Sequence, residues 1–447
     1  MEWSEVKNNI YACLEIGCAE SRILVCNIRQ ERLYVLAHAE VKTEGIEHGN
    51  VINVNQAVDM LKKLKDKVEL DLNQEIQGVI LSIPSIDINL DNVKTSISLQ
   101  ANKPINTLEI KQLFRSVLNQ PVYRDQIVVN VVPRLFMVDD KNVIQNPFGI
   151  IGQSLMLRAQ KITANASLVY NLINVVELAG FRISDIVLGA MSELMYALSP
   201  KQLNEGTCLI NIGHSMTTVS VVNEGKLLST VSLSTGGQTV TEEVANTYNI
   251  DLEMAEHLKV SFGQLNYQGD LLEIIYTEEK TDEIVCVTTK GLSDIMTSQY
   301  EGILKLVKQY LTENGFRHDS IHYVFTGGAS EQKGLSSLAR SIFGQEIEVF
   351  RPSMLGVRHT KFVSLIGMAT FEHEMSLLTG QKHQSVNCEQ YDTVKKEQLD
   401  QFESKKQPQA VNQTKQKSQE KSFMDNKLEN SGVLVRIFDM IFDEKEE

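Results

Sequence analysis

Two stretches of this chain, roughly two hundred residues apart, repeat one pattern, and that repetition constrains the fold more than any other feature. Cys13 to Asn27 (CLEIGCAESRILVCN) and Leu209 to Asn223 (LINIGHSMTTVSVVN) each read as an apolar strand, an acidic or amide residue, Ile-Gly, a small polar turn and a second strand. Two copies predict a duplicated fold with one hairpin in each half. Chance likeness of two β-hairpins is the alternative.

The segments around the repeat predict an α/β body from Ile10 to Gly380. Tyr11 to Ile16, Arg22 to Ile28 and Gly78 to Ile83 are β-rich runs. Ala57, Leu61, Leu64 and Val68 fall at helical spacing, as do Leu168, Leu172, Val175 and Ala179, with Gly180 placed as a C-terminal cap. A glycine cluster, Val324 to Ala329 (VFTGGA), follows an apolar strand and precedes the helical run Leu335 to Phe343. Glycine turns at strand ends let backbone N–H groups approach a phosphate or ribose, because no Cβ intervenes. One such turn is most often only a turn; two related hairpins plus a strand-Gly-Gly-helix are more specific.

Composition removes several functional classes. A length of 447 residues with 42% hydrophobic content suits two domains and a tail. The net charge of -14, with no basic cluster, argues against nucleic-acid binding and against simple attraction to anionic lipid. Cys13, Cys18, Cys26, Cys208, Cys286 and Cys388 form no CxxC pair, so they read as reduced, mostly buried residues of a cytosolic protein, with no metal cluster. Met1 to Asn9 is charged and lacks an apolar h-region, and no run approaches the ~18 apolar residues of a membrane span. A cytoplasmic chain is expected.

From Gln384 to Asn430 the sequence turns Gln/Lys/Glu/Ser-rich, the composition of a disordered, flexible linker whose ends sit roughly 40 Å apart. Ser431 to Glu447 then returns to apolar character. On a helix, Val433, Leu434, Ile437, Phe438, Met440, Ile441 and Phe442 cover one broad face, and Arg436, Asp439 and Asp443 make a narrow polar stripe. A helix over Val433 to Asp443 is about 16 Å long against a hydrocarbon core of about 30 Å, so it lies in a bilayer interface rather than spanning it. Docking on a partner, or back on the chain's own body, is the rival reading.

The blocks together resemble the actin, Hsp70 and sugar-kinase superfamily, and within it the bacterial FtsA cell-division family. Resemblance to FtsA rests on Gly45 to Val54 (GIEHGNVINV), Val132-Pro133 leading to Asn146 to Gly149 (NPFG), Val176 to Phe181 (VELAGF), and Gly327 to Ser330 with Gly334. The run Glu253 to Lys259, closed by Gly263, is similar to the family's ExxK-bearing helix and implies Glu256 and Lys259 beside a nucleoside. Gly236-Gly237 resembles the loop after the second phosphate motif. The resemblance implies nucleotide-binding positions at Glu15, Gly17, Cys18 and Ala19 (phosphate 1), at Asn211, Gly213, His214, Ser215, Met216 and Thr217 (phosphate 2), and at Gly327, Gly328 and Ala329, with ATP and Mg²⁺ as cofactor and no catalytic residue or protein metal ligand.

Departures from the pattern bear on chemistry. Glu15 and Asn211 stand where the superfamily usually carries Asp, and His214, Ser215 and Met216 replace glycines and a hydroxyl. Asn211 brings no charge to a hydrated metal ion, and Glu20 adds negative charge where a polyphosphate would sit. Weak or absent ATP hydrolysis is expected. A lone His214 in a loop is most often simply solvated.

By motif order the resemblance divides the chain into subdomain 1A (9–85, 165–204 and 353–383), subdomain 1C (86–164) in place of actin's 1B, subdomain 2A (205–240 and 310–352), subdomain 2B (241–309), the linker (384–430) and the amphipathic membrane-targeting helix (431–447). It implies a peripheral membrane adaptor that polymerises, anchors FtsZ filaments of the Z ring through the FtsZ C-terminal peptide, and recruits other divisome proteins at the cytoplasmic face of the division site. The membrane contact is expected at Val433, Leu434, Ile437, Phe438, Ile441 and Phe442, on a segment of net charge -3 from two cations and five carboxylates. Alternatives from other classes are an actin-fold small-molecule kinase and a pilus-type assembly scaffold similar to PilM.

Overall fold

The computed structural model describes residues 9–100, 102–140, 142–279, 284–317 and 320–380. The linker 384–430, the amphipathic segment 431–447 and Cys388, singled out above, lie outside them.

Two lobes of the same design make up the body. The first begins β1 (Asn9–Ile16), β2 (Glu20–Arg29), β3 (Arg32–Lys42), β4 (Ile46–Glu47), β5 (Asn50–Val51), α1 (Val54–Leu72) and β6 (Val79–Ile83). A separate sheet follows, from β7 (Asn89–Ser98), α2 (Thr107–Leu118), β8 (Gln126–Val138), β9 (Asn142–Ile144) and β10 (Ser154–Asn165). The chain then returns through α3 (Ala166–Leu178), β11 (Ile183–Leu188), α4 (Gly189–Ala197) and α5 (Pro200–Glu205). The second lobe holds β12 (Thr207–Ile212), β13 (Thr217–Asn223), β14 (Lys226–Leu233), α6 (Gly237–Tyr248), α7 (Leu252–Phe262), β15 (Ile274–Glu279), β16 (Ile284–Thr288), α8 (Thr289–Glu313), β17 (His322–Thr326), α9 (Leu335–Phe343) and β18 (Ile347–Val349). Finally α10 (Val363–Thr379) crosses back to the first lobe, where it packs on α4 and β1.

The predicted duplication is present strand for strand. One five-stranded sheet has the order β3-β2-β1-β6-β11 and the other β14-β13-β12-β17-β18. In each, three antiparallel strands join two parallel ones, β6 and β11 or β17 and β18. The fold is α/β and actin-like, with an additional sheet of order β7-β10-β8-β9 between β6 and α3.

Local chemistry explains the helices. Asn53 caps α1 by accepting the N–H of Gln56 at 3.2 Å, and Asn73, at φ 54°, closes it by returning its own N–H to Glu69 and Leu70 carbonyls. The Ala57, Leu61, Leu64 and Val68 stripe is buried, as its spacing predicts. Helix α2 starts on a capping box in which Asn106 and Glu109 satisfy each other's backbone donors. Helix α10 is apolar nearly all round, which marks a helix enclosed on most sides.

Three of the described cysteines, Cys13, Cys26 and Cys208, are buried; Cys18 is half-buried and Cys286 exposed, and all five are free thiols. Among the described residues no helix is long and apolar enough to cross a membrane.

Helices α4 and α10 come close at Gly367, where a Cβ would stand 2.1 Å from the Ser192 carbonyl oxygen of α4. Gly302 of α8 has nothing within 4 Å of that point. Gly367→Ala is expected to lower stability by about 1–3 kcal/mol, through forced separation of α4 and α10. Gly302→Ala is expected to raise it by about 0.5–1 kcal/mol through helix propensity. Urea unfolding of both variants checks the pair; equal effects would contradict this packing.

Candidate functional site

The two repeated hairpins face each other across a cleft of about 630 Å³. Its first wall is the β1–β2 turn. Gly17 is required there, since a Cβ would meet the Glu20 carbonyl oxygen at 2.6 Å. Glu15 and Arg22 are paired across the strands, and Arg22 Nη2 donates to Glu15 Oε2 at 2.9 Å.

The opposite wall is the β12–β13 turn, closed by the Gly213 N–H donating to the Met216 carbonyl at 2.9 Å. Helix α6 abuts it. The Gly237 and Gln238 N–H groups donate to the Gly213 and His214 carbonyls at 2.9 and 2.7 Å, so the turn itself satisfies two of the free amides at the helix N-terminus. Gly236 permits this contact, because a Cβ would lie 2.5 Å from the His214 carbonyl oxygen.

Most predicted positions meet in the cleft: Glu15, Gly17, Cys18, Ala19, Asn211, Gly213, His214, Met216, Gly237, Glu256, Lys259, Gly327, Gly328 and Ala329 line it. Ser215, Thr217 and Gly236 do not. Ser215 is buried with its Oγ unpartnered, and Thr217 spends its hydroxyl on the Thr235 carbonyl at 2.8 Å, so these three support the turn from behind. His214 is drawn into the wall, where burial, and then the Lys259 charge, lower its basicity.

On the α7 side, Lys259 is buried and all three ammonium donors have acceptors: Glu256 at 2.6 Å, the Thr241 hydroxyl at 2.8 Å and the Gly237 carbonyl at 2.9 Å. Burial lowers the Lys259 pKa, with Glu256 opposing. Burial alone would raise Glu256, but Lys259 and Thr241 outweigh it and hold that carboxyl below its ordinary value. Lys259 therefore acts as a brace that fixes Glu256 against α6. Tyr300 donates to the Ala329 carbonyl at 3.3 Å, fixing the Gly327–Ala329 turn.

Three charged residues that sequence reading missed decide the electrostatics. Glu193 of α4 is buried in the cleft lining and accepts hydrogen bonds from Asn211, and from the Thr326 hydroxyl at 2.9 Å. Burial and the nearby Glu15 push its pKa up to about 7. A single carboxylate inside the apolar helix GAMSELMYA was the available signal, since a buried acid must find partners. Arg22 lay unremarked in the first hairpin. Lys361 reaches Glu20 at 3.1 Å and Glu40 at 2.6 Å, so the negative charge that Glu20 adds to this wall has a cation beside it.

Residues 208–367 match the family model described as cell division protein FtsA, and residues 86–163 match the SHS2 domain inserted in FtsA. The chain is 26% identical over 380 residues to the cell division protein FtsA of Bacillus subtilis, covering 84% of this chain and 86% of that one. It is 24% identical over 372 residues to the FtsA of Streptococcus pneumoniae, covering 83% and 81%. Among solved structures, a PilM-PilN type IV pilus biogenesis complex aligns with a TM-score of 0.55 at 15% identity, covering 81% of this chain and 98% of that one, a likeness of fold.

The native state keeps the Glu193 proton up to about pH 7, whereas an unshifted carboxyl releases it near 4.5. The folded chain therefore binds more protons between those values. The favourable contribution is full below pH 4.5 and is lost as pH rises through about 7. Glu193→Gln keeps the shape and removes the titration. Thermal unfolding across that window is expected to show a flatter pH dependence than the parent; an unchanged slope would assign the dependence elsewhere.

Proposed function

We propose, because this chain belongs to the FtsA family of cell division proteins, that it works as an actin-like peripheral adaptor which anchors FtsZ filaments to the cytoplasmic face of the membrane at the division site. The observation that carries this reading is the inserted sheet: a four-stranded unit between β6 and α3, over nearly the span that matches the SHS2 domain, in a body whose second half matches FtsA. Subdomain 1C is then 86–164, and 2B, the expected seat of the FtsZ C-terminal peptide, is 241–309. Self-association of the body completes the adaptor.

The cleft takes a nucleotide in this reading. The glycine turns at Gly17 and Gly213 supply backbone donors to phosphates, and the Gly327–Ala329 turn with Glu256 and the Lys259 brace holds the nucleoside. Arg22, Lys42 and Lys361 bring positive charge to the first wall. Hydrolysis is weak or absent, because Asn211 and Met216 offer neither a carboxylate nor a hydroxyl to the reacting phosphate.

Membrane adhesion falls to Val433, Leu434, Ile437, Phe438, Ile441 and Phe442. One short helix of this kind binds weakly, since apolar burial is offset by ordering and nucleation costs of similar size. Polymerisation multiplies it through effective concentration. The segment's net charge of -3 makes the apolar face the adhesive element.

Co-sedimentation of the full chain, and of a chain ending at Asn430, with anionic vesicles and with FtsZ tests the proposal. Truncation is expected to abolish vesicle binding and leave FtsZ binding intact. Adhesion of the full chain is expected to survive added salt, because screening acts on charge and not on apolar burial. Unchanged vesicle binding after truncation would remove the anchor assignment, and release by salt would overturn the apolar mechanism.

A further inference from the structure

Actin-like nucleotide sites imply a magnesium ion, and the residues of this cleft do not fit one. Mg²⁺ is held through one or two carboxylates together with substrate phosphates, in near-ideal octahedral geometry. Three carboxylates stand on the phosphate side here, and each is committed to a protein partner. Glu15 is bonded by Arg22 at 2.9 Å, and Glu20 by Lys361 at 3.1 Å. Glu193 receives Asn211 on one oxygen and Thr326 on the other. Asn211 is central to the misfit: its amide donates to Glu193 and contributes no negative charge of its own. Met216 adds a thioether, a soft ligand unsuited to magnesium. Among the described residues no group of three His, Cys, Asp or Glu side chains is arranged to hold a metal.

Cations occupy the same wall. Arg22, Lys42 and Lys361 line the cleft, and Arg22 Nε is buried without an acceptor. We propose that this cleft binds its nucleotide, ADP or ATP, without a divalent cation, the charge being met by Lys42, by the donors that Arg22 and Lys361 keep beyond their carboxylate pairs, and by backbone donors of the turns. The inference rests on the reading of the cleft as a nucleotide site. It assigns Asn211 a definite part: as an amide it lets Glu193 be satisfied inside the protein, where an aspartate would place two acids side by side and need a cation between them.

Calorimetric titration of the full chain with ATP and with ADP, in EDTA and in excess Mg²⁺, decides the matter. Affinities in the two conditions are expected to agree within about threefold, a difference of well under 1.4 kcal/mol. Binding that requires magnesium, with a loss of about thirtyfold or more in EDTA, would overturn the inference and leave the nucleotide reading standing. Absence of binding in both conditions would remove the nucleotide reading and this inference with it. Asn211→Asp is expected to weaken binding in EDTA about tenfold and to recover it with Mg²⁺. Lys361→Gln is expected to weaken binding equally in both conditions; a loss confined to EDTA would contradict the assigned role of that cation. The unmodified chain alone gives a decisive result if either variant does not fold.

Discussion

The carboxylate of Glu193 is the point on which the two lobes meet. It belongs to α4 of the first lobe, yet its hydrogen-bond donors come from β12 and β17 of the second. A buried acid left without partners costs several kcal/mol, so the arrangement that satisfies it is strongly preferred over one in which the lobes part. Other features are fitted around it. Gly327 has no Cβ because one would lie only 2.2 Å from the Asn211 amide oxygen, and its carbonyl then accepts the Thr360 hydroxyl at 2.7 Å. Thr360 begins the short 3-10 turn Thr360–Phe362 that delivers Lys361 to the cleft. One acid thus sets the glycine turn, and the glycine turn helps set a cation.

A second bridge lies at the inserted sheet. Asn130 of β8 exchanges two hydrogen bonds with β11, donating to the Ile186 carbonyl at 3.2 Å and accepting from the Leu188 N–H at 2.8 Å. The same sheet reaches the second lobe, where Gln160 donates to the Leu227 carbonyl at 2.8 Å and Arg134 to the carbonyls of Glu224 and Gly225. Ser85, just before the insertion, accepts the Ser232 N–H at 3.1 Å. The insertion therefore touches the hairpin β13–β14 whose other end forms the cleft wall. A change in lobe separation is felt at both places, because interfaces of this kind repack in steps rather than stretch.

Much of this was legible in sequence, and the division between what was and what was not has a physical basis. The hairpin echo, the α1 and α3 stripes and the glycine turn before α9 are local patterns, set by periodicity and by conformations that only glycine adopts cheaply. Arg22, Glu193 and Lys361 were not legible as partners because each derives its role from a group elsewhere in the sequence or across a strand pair. Glu20 illustrates the limit well: by its position in the family pattern it adds negative charge where a polyphosphate would sit, and its compensation by Lys361 comes from a turn far away in sequence. Ser215, Thr217 and Gly236 were read by motif as ligand-facing, whereas the tight closure of the turn leaves them behind it.

The cleft is consequently unequal along its length. Its α7 side is preorganised: Lys259 has spent every donor on Glu256, Thr241 and Gly237, and Tyr300 pins the facing turn, so the proposed nucleoside would need little rearrangement. The side proposed for the phosphates is equally well satisfied, and in that reading its partners oppose turnover. Catalysis requires groups that bind the transition state better than the ground state, and a carboxylate already bonded to Asn211 and Thr326 is poorly placed to orient an attacking water. Occupancy and chemistry are thereby separated. The contacts at Glu193 and at the inserted sheet are among those that set the position of the lobes on either side of the cleft.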